Sequence, residues 1–585
     1  MSNSLDQQAD SSRVNASAKL NPDLDSSPGY AQRWGQAGLI ACVWIFLVWL
    51  HADNDGLWFQ GDAPRHAANG LFWLDYLRDF TFDAKGYALS YFARYPVINP
   101  VAWPPLFHIL TAGAYSLFGP LPVVAKSLVL LFALTACLYT SSWIRRWIRP
   151  ELGWTAVMLL LVPGIVTWSH AVMLNVPAVA LTAGSLYHAR RWLEGAESAS
   201  RYSHFYLTAA LGALAVLTYY PAGMILFVFL AWSAAKGTLW RLLRWRTAVF
   251  AFVCLLLFVP LVLIALRWAP KHVSFITRSV SQVGDLSSWI YYLPRLPQLF
   301  GPTLLTLAVA GWVTGLSRRR WRHETMLLTL WIAVTYATLS ILFAKESRYA
   351  LFLAPPLVCL GALALSEASN MLATFVRRPD FSTRISHGLA LIVVGTLAIP
   401  AWRTPIPSVS GFRDVASYLK QVAPNEPVFY DGYYNGVFTF HVRAQDPDYR
   451  RQVILGNKLL YTYSLDPSAR LSEFVSSADE VLEILRTQGG CRWLVIETSD
   501  RSEVVAAMRY LRQAVSLPQF EWVRSFQITG PAPASRASKI QRVDVYKLLG
   551  PVNATDRVRL PFPSLSRDAF FEVEPIAPRR AISQD

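Results

Sequence analysis

Pro105-Leu-Phe-His-Ile-Leu-Thr-Ala-Gly-Ala-Tyr-Ser-Leu-Phe-Gly119 is the stretch whose reading decides how the chain is threaded. It is apolar, but at about 15 residues it is short of the roughly 20 that a spanning helix takes, and it opens on a tandem proline. Around it lie longer or more regular apolar runs: 34–51, 123–143, 153–169, 171–188, 205–219, 222–235, 247–268, 299–316, 326–343, 349–365 and 388–402. Between them sit five basic clusters, Arg145-Arg146 with Arg149, Arg190-Arg191, Lys236 to Arg246, Arg318 to Arg322, and Arg377-Arg378 with Arg384. If 105–119 spans, all five fall outside. If it does not, all five fall inside, as cytoplasmic loops require. The stretch therefore reads as re-entrant or interfacial, which leaves about 11 spans with the C-terminal end outside.

The composition agrees. Of 585 residues 53% are hydrophobic and only 16% charged, against about 25% charged in soluble domains. The net charge of +16 is carried by the short loops, so it argues for membrane topology and against nucleic acid. The five cysteines lie mostly in apolar runs, without metal-ligand spacing or a disulfide pattern. Residues 1–29 are polar and read as a disordered cytoplasmic tail. Beyond 402 the character changes. A Pro- and Ser-rich linker leads to a small α/β domain over 411–549, and 550–585 read as an extended tail. Within the domain, 412–421, 478–488 and 501–514 read as helices. Segments 427–430, 437–442, 453–455, 492–497, 522–528 and 542–548 read as strands.

This threading puts several polar insertions on one face. The first is Gly61-Asp-Ala-Pro-Arg-His-Ala67, opening a loop with two short interfacial helices, 64–80 and 83–92. Asp62, flanked by Arg65 and His66 ahead of a helix that Pro64 can start, reads as a general base; the alternative is a simple helix cap. Lys85, Arg94 (with Tyr95 beside it) and His108 are candidates to hold a phosphate, or else snorkelling or satisfied polar groups. The second insertion is Lys345-Glu346-Ser347-Arg348-Tyr349, cationic on the face where cations are disfavoured. It reads as a phosphate clamp, with a helix-end pair as the alternative. Asn175, ahead of Pro177, is either a cap or a donor to substrate.

In order and spacing, these features resemble the GT-C superfamily of membrane glycosyltransferases, in particular the protein O-mannosyltransferase and aminoarabinose-transferase branch. The likeness runs over 34–400. It rests on Asp62 after the first span, the paired juxtamembrane helices, Pro104-Pro105-Leu106, and Lys345–Tyr349 leading into Leu351-Phe-Leu-Ala-Pro-Pro356. It implies an enzyme of the cell envelope, in a bacterial inner or plasma membrane with its α/β domain extracytoplasmic. It would transfer a hexose or pentose, with inversion, from a polyprenyl-phosphate donor to a glycan, lipid or protein acceptor. Asp62 would be the base, with Lys345, Arg348 and Lys85 on the lipid phosphate. Members of the superfamily often carry an acid where this chain has Asn175, and a basic residue near Tyr219. The missing acid disfavours a divalent metal, which wants carboxylate oxygens, and no other cofactor is implied. Two other readings compete, a lipid or glycan flippase and a non-catalytic scaffold. Helix interiors with few charges speak against the first.

Overall fold

The computed structural model describes residues 30–50, 56–58, 62–100, 102–194, 199–256, 258–259, 263, 279, 283–378, 381–462, 472–498, 505–530, 540–553, 557–561 and 570–579. The expected N-terminal tail, about half of the stretch 267–297 and most of the second half of the 247–268 run lie outside them. The helices of eight or more residues in the apolar part are α1 (Tyr30–Leu50), α2 (Asp62–Asp79), α3 (Ala84–Arg94), α4 (Leu106–Phe118), α5 (Pro122–Trp147), α6 (Asn175–Glu194) and α7 (Ala199–Thr218). They continue as α8 (Met224–Ala235), α9 (Trp245–Leu256), α10 (Pro302–Ser317), α11 (Arg319–Ile341), α12 (Ala354–Phe375) and α13 (Ser382–Arg403).

Among the described residues four helical stretches are long and apolar enough to cross a membrane: α5, α11, 347–375 (α12 with its leading turn) and α13. Two bent pairs, broken at 162 and 301, bring this to six. Several of the remaining expected spans are shorter apolar helices. The stretch that decides the threading is one of these. α4 holds 13 residues, about 20 Å at 1.5 Å per residue, against a hydrocarbon core of about 30 Å. α2 and α3 occupy the expected juxtamembrane loop, and Asp83 caps α3 by accepting the Gly86 N–H at 2.8 Å.

The C-terminal part has helices α14 (Phe412–Val422), α15 (Asn435–Ala444), α16 (Ala478–Thr487) and α17 (Ala506–Ala514). Its strands are β1 (Val428–Asp431), β2 (Val453–Leu455), β3 (Tyr461–Thr462), β4 (Ser472–Glu473), β5 (Trp493–Thr498), β6 (Phe520–Thr529), β7 (Ile540–Leu548), β8 (Val558–Pro561) and β9 (Phe570–Val573). The main sheet runs β2-β1-β5-β7-β6, parallel across the first three and antiparallel beyond. Alternation along the strands sorts the core into two layers. Val428, Tyr430, Val453, Trp493 and Val495 join α14, α15 and the helical part. Phe429, Ile454, Leu494 and Ile496 face Leu482, Leu485 and Leu511 of α16 and α17.

One local expectation is corrected. Residues 437–442 form helix, not strand: the N–H groups of Tyr433 and Tyr434, at the start of α15, end on the Glu497 carboxylate, both at 2.9 Å. A short apolar run does not itself distinguish the two forms. Within the tail beyond 550, β8 and β9 pair antiparallel.

The C-terminal part is docked on the first outer loop. Leu57 and Val409 exchange backbone bonds of 3.1 and 2.7 Å. A Cβ on Gly436 of α15 would fall 2.9 Å from Cβ of Pro64 in α2. Asp75 of α2 lies in a buried ion pair with Arg443 of α15.

Candidate active site

The site is built where the start of α2 meets the turn before α12. Arg348 lies in the 3-10 turn Ser347–Leu353, and its side chain is 6% exposed. One of its amino groups donates to Asp62 Oδ2 at 2.8 Å and to Glu346 Oε1 at 2.7 Å. The guanidinium lies 5.4 Å from the Trp168 ring centroid and 5.7 Å from that of Tyr349. Trp168 is itself stacked on Trp58 at 4.8 Å. Arg348 is thus a cation held between two carboxylates and two aromatic faces, an arrangement its planar fork suits and a lysine's ammonium does not. Asp62 remains 31% and Glu346 42% exposed at the side chain, so both acids face accessible space. Burial raises the Glu346 carboxyl above the usual range. Arg348 opposes that shift and the neighbouring Asp62 adds to it.

The two segments singled out in sequence therefore meet directly. Rather than standing apart as a clamp opposite the acid, Arg348 bonds to it. The other candidates are placed as follows. Lys345 donates to the Leu342 carbonyl at 2.5 Å, while its own carbonyl accepts from Tyr291 at 3.0 Å. Tyr349 lies against Tyr219, ring centroids 5.9 Å apart. Asn175 opens α6 and is 1% exposed, yet among the described residues neither polar atom of its side chain has a partner, so it does not cap the helix there. It follows Met173, whose sulfur takes the other Arg348 amino group at 3.9 Å. Arg65 is partly buried on α2, and Lys85 is exposed at the start of α3. His66 and His108 face each other, Nδ1 to Nε2 at 3.0 Å. Burial first, then the charges of Arg348 and Arg65, hold His66 well below the ordinary histidine pKa. Arg94 and Tyr95 turn away from this cluster toward the C-terminal part: Arg94 donates to the Tyr449 carbonyl at 2.5 Å and Tyr95 to Asp446 at 3.0 Å.

Reading the sequence missed Trp58, Trp168 and Met173, which carry no local signal. It also passed over Lys126, a cation one turn into the apolar α5 and only 7% exposed, whose charge acts on His170. A charge inside an apolar helix is itself a visible sign of function.

No protein-family model matches the sequence, and no curated protein matches it. Solved structures do. ArnT from Cupriavidus metallidurans in the apo state superposes with a TM-score of 0.56 at 16% identity, over 88% of this chain and 98% of that one. The same protein bound to undecaprenyl phosphate gives 0.56 and 16% over 87% and 97%. The oligosaccharyltransferase AglB from Archaeoglobus fulgidus, in complex with an inhibitory peptide and a dolichol-phosphate, gives 0.55 at 12% over 88% and 74%. At such identities the likeness shows the fold alone, and that fold is the one ArnT and AglB share with this chain.

Proposed function

We propose that the protein is a glycosyltransferase that moves a sugar from a polyprenyl-phosphate donor to a glycan, lipid or protein acceptor. The observation that carries this reading is the Asp62–Arg348–Glu346 cluster, a partly exposed acid bonded to a buried arginine where the start of α2 meets the turn before α12. Support comes from the fold shared with ArnT and AglB, whose structures hold undecaprenyl phosphate and a dolichol-phosphate.

In this reading the acceptor attacks the anomeric carbon from the face opposite the phosphate, and its proton passes to Asp62. The carbon–oxygen bond to phosphate breaks with its electron pair on the phosphoryl oxygen, and configuration inverts. The leaving group is already a good one, so what helps it depart is positive charge and N–H donors rather than a proton. Arg348, with Lys345 and Lys85, supplies the charge. Asn175, buried and without a partner among the described residues, offers an amide to sugar or phosphate. Arg65, His66, His108 and Tyr349 complete the lining, and Arg94 and Tyr95 serve by holding the juxtamembrane loop to the C-terminal part. The chain crosses the membrane about 11 times by the length and charge rules. Site and C-terminal domain (411–549) share the outer face of a bacterial inner or plasma membrane.

Transfer by the purified full-length protein, with polyprenyl-phosphate sugars as donors, tests this. Asp62→Asn should abolish turnover, a loss of about 10²–10⁴-fold for a missing base, with its melting temperature in detergent unchanged. Full activity in that variant removes the mechanism. Mass spectrometry of lipid and glycan fractions from cells with and without the protein would identify the product.

A further inference from the structure

His66 follows Asp62 by one turn of α2, so the two side chains share a helix face. The ring is 1% exposed and sits edge-on to Trp103 at 4.5 Å. Its Nδ1 faces Nε2 of His108, which is fully buried on α4. Nδ1 of His108 has no partner among the described residues and is enclosed. Nε2 of His66 takes no partner among the described residues but is not one of the enclosed atoms, and of the charges acting on the ring the larger effect is that of Arg348, the cation holding Asp62.

One proton lies between the two rings, and it can be carried in two ways. If His66 Nδ1 carries it, neutral His108 must keep its own proton on Nδ1, a buried N–H with nothing to accept it. If His108 Nε2 carries it, His108 Nδ1 is a bare lone pair, and His66 keeps its proton on Nε2. The two arrangements differ in where the remaining N–H falls: on the enclosed Nδ1 of His108 in the first, on Nε2 of His66, which is not among the enclosed partnerless atoms, in the second, and an enclosed N–H without an acceptor is the rarer defect in folded proteins. In that tautomer His66 has one nitrogen engaged as an acceptor and the other protonated. It can donate but cannot take up a proton.

We infer that His66 donates a hydrogen bond from Nε2–H to the phosphoryl oxygen of the departing lipid phosphate, and that His108 is a positioning residue that fixes the required tautomer. The inference rests on the glycosyltransferase reading. As the anomeric carbon–oxygen bond breaks, its electron pair goes to the phosphoryl oxygen, where Arg348 and His66 meet it with N–H donors. The acceptor's proton goes to Asp62, and no proton leaves His66. A neutral donor beside Arg348 strengthens the oxyanion site without adding a second buried charge next to a guanidinium. It also explains why this loop can place two histidines in its interior: neither needs to be charged.

The test uses the full-length protein in detergent, with undecaprenyl phosphate as the binding probe and sugar transfer as the second readout. Removal of a donor aimed at a developing oxyanion costs about 10²–10³-fold in rate. His66→Phe should therefore lower kcat by about a hundredfold and weaken undecaprenyl phosphate binding by about tenfold. His66→Gln, which keeps an N–H, should recover most of both. His108→Leu frees the tautomer and should lower kcat by about tenfold, whereas His108→Gln, whose amide can still donate to His66 Nδ1, should restore it. The inference is overturned if His66→Phe binds and turns over like the wild type, or if all losses track a fall in melting temperature. It is equally overturned if kcat shows an ionisation near neutral pH that disappears in His66→Gln, since that would make His66 a base. If the wild type neither binds undecaprenyl phosphate nor transfers a sugar, the glycosyltransferase reading fails and this inference fails with it.

Discussion

Arg348 and Glu497 illustrate two ways of holding a charged group in this chain. Arg348 is surrounded by acids and aromatic rings that leave its ligands partly exposed, the disposition of a group that can change partners. Glu497 is 1% exposed and fully engaged, accepting from the Tyr430 hydroxyl and from the backbone of Tyr433 and Tyr434. Burial nevertheless lifts its carboxyl to about 7, because those three donors only partly offset the loss of solvent. Its unfolded value is about 4.3, so the folded protein binds this proton more tightly than the unfolded chain does. Stability is therefore greatest below about pH 4 and declines as pH rises toward 7, by on the order of 3 kcal/mol. Thermal unfolding in detergent from pH 4.5 to 7.5 should show that decline, and Glu497→Gln, which keeps an acceptor oxygen, should flatten it. The curve will not become level, because burial also raises Asp431 to about 6, with the same sign. At this scale the sequence is an uneven guide. Asp62, Glu346 and Arg348 stand out because they lie in polar insertions between apolar runs, where a charge has no packing role. The His66–His108 contact was invisible: the two are 42 residues apart, and each alone resembles an ordinary core histidine.

The elements that position Asp62 belong to two parts of the chain. α2 begins at Asp62 itself, and Pro64 supports the start of the helix by its fixed φ. Against that proline lies Gly436 of α15, where a side chain has no room. Gly436→Val should push α15 off the first turn of α2 and shift Asp62. A shift of about 1 Å at a reacting group can cost about a hundredfold. Transfer should fall by that order while helix content by circular dichroism is retained; unchanged kcat would mean that the α15–α2 contact does not set the position of Asp62. The periodicity of apolar residues revealed the juxtamembrane helices and most of the C-terminal elements. It fails at α15 because 437–442 (Val-Phe-Thr-Phe-His-Val) is a short run of β-branched and aromatic residues, which suits a strand as well as a buried helix. What makes it helical is a carboxylate some 60 residues away, at the end of β5. The threading was decided from charge, and there a single short stretch, α4, carried the outcome.

For the whole molecule the question is what keeps a soluble-looking α/β unit seated on a membrane loop. Part of the answer is backbone pairing at Leu57 and Val409, and at Ser90 and Ile576, where the N–H of Ile576 donates at 2.9 Å. The centre of the contact is polar. Asp75 is wholly buried and accepts from Tyr91 at 2.7 Å and from Arg443 Nε at 3.0 Å. Arg443 also reaches the Tyr91 hydroxyl at 3.0 Å, and Arg579 of the tail approaches Asp75 to 3.5 Å. None of this could be seen in the sequence, where a Pro- and Ser-rich linker suggested independent parts and the ion pair spans 368 positions. Its energetics follow from desolvation. A buried pair adds little over a well-packed apolar pair, but removing one partner strands the other charge, at about 3–5 kcal/mol. Arg443→Met should therefore lower the melting temperature and expose the 403–411 linker to limited proteolysis, as the C-terminal part lifts from α2. Adding Asp75→Leu to that variant should recover most of the loss, since neither charge then remains buried. If the double variant is as unstable as the single one, the pair contributes by attraction rather than by mutual neutralisation. If Arg443→Met leaves both readouts unchanged, the seat is held by the backbone pairing alone.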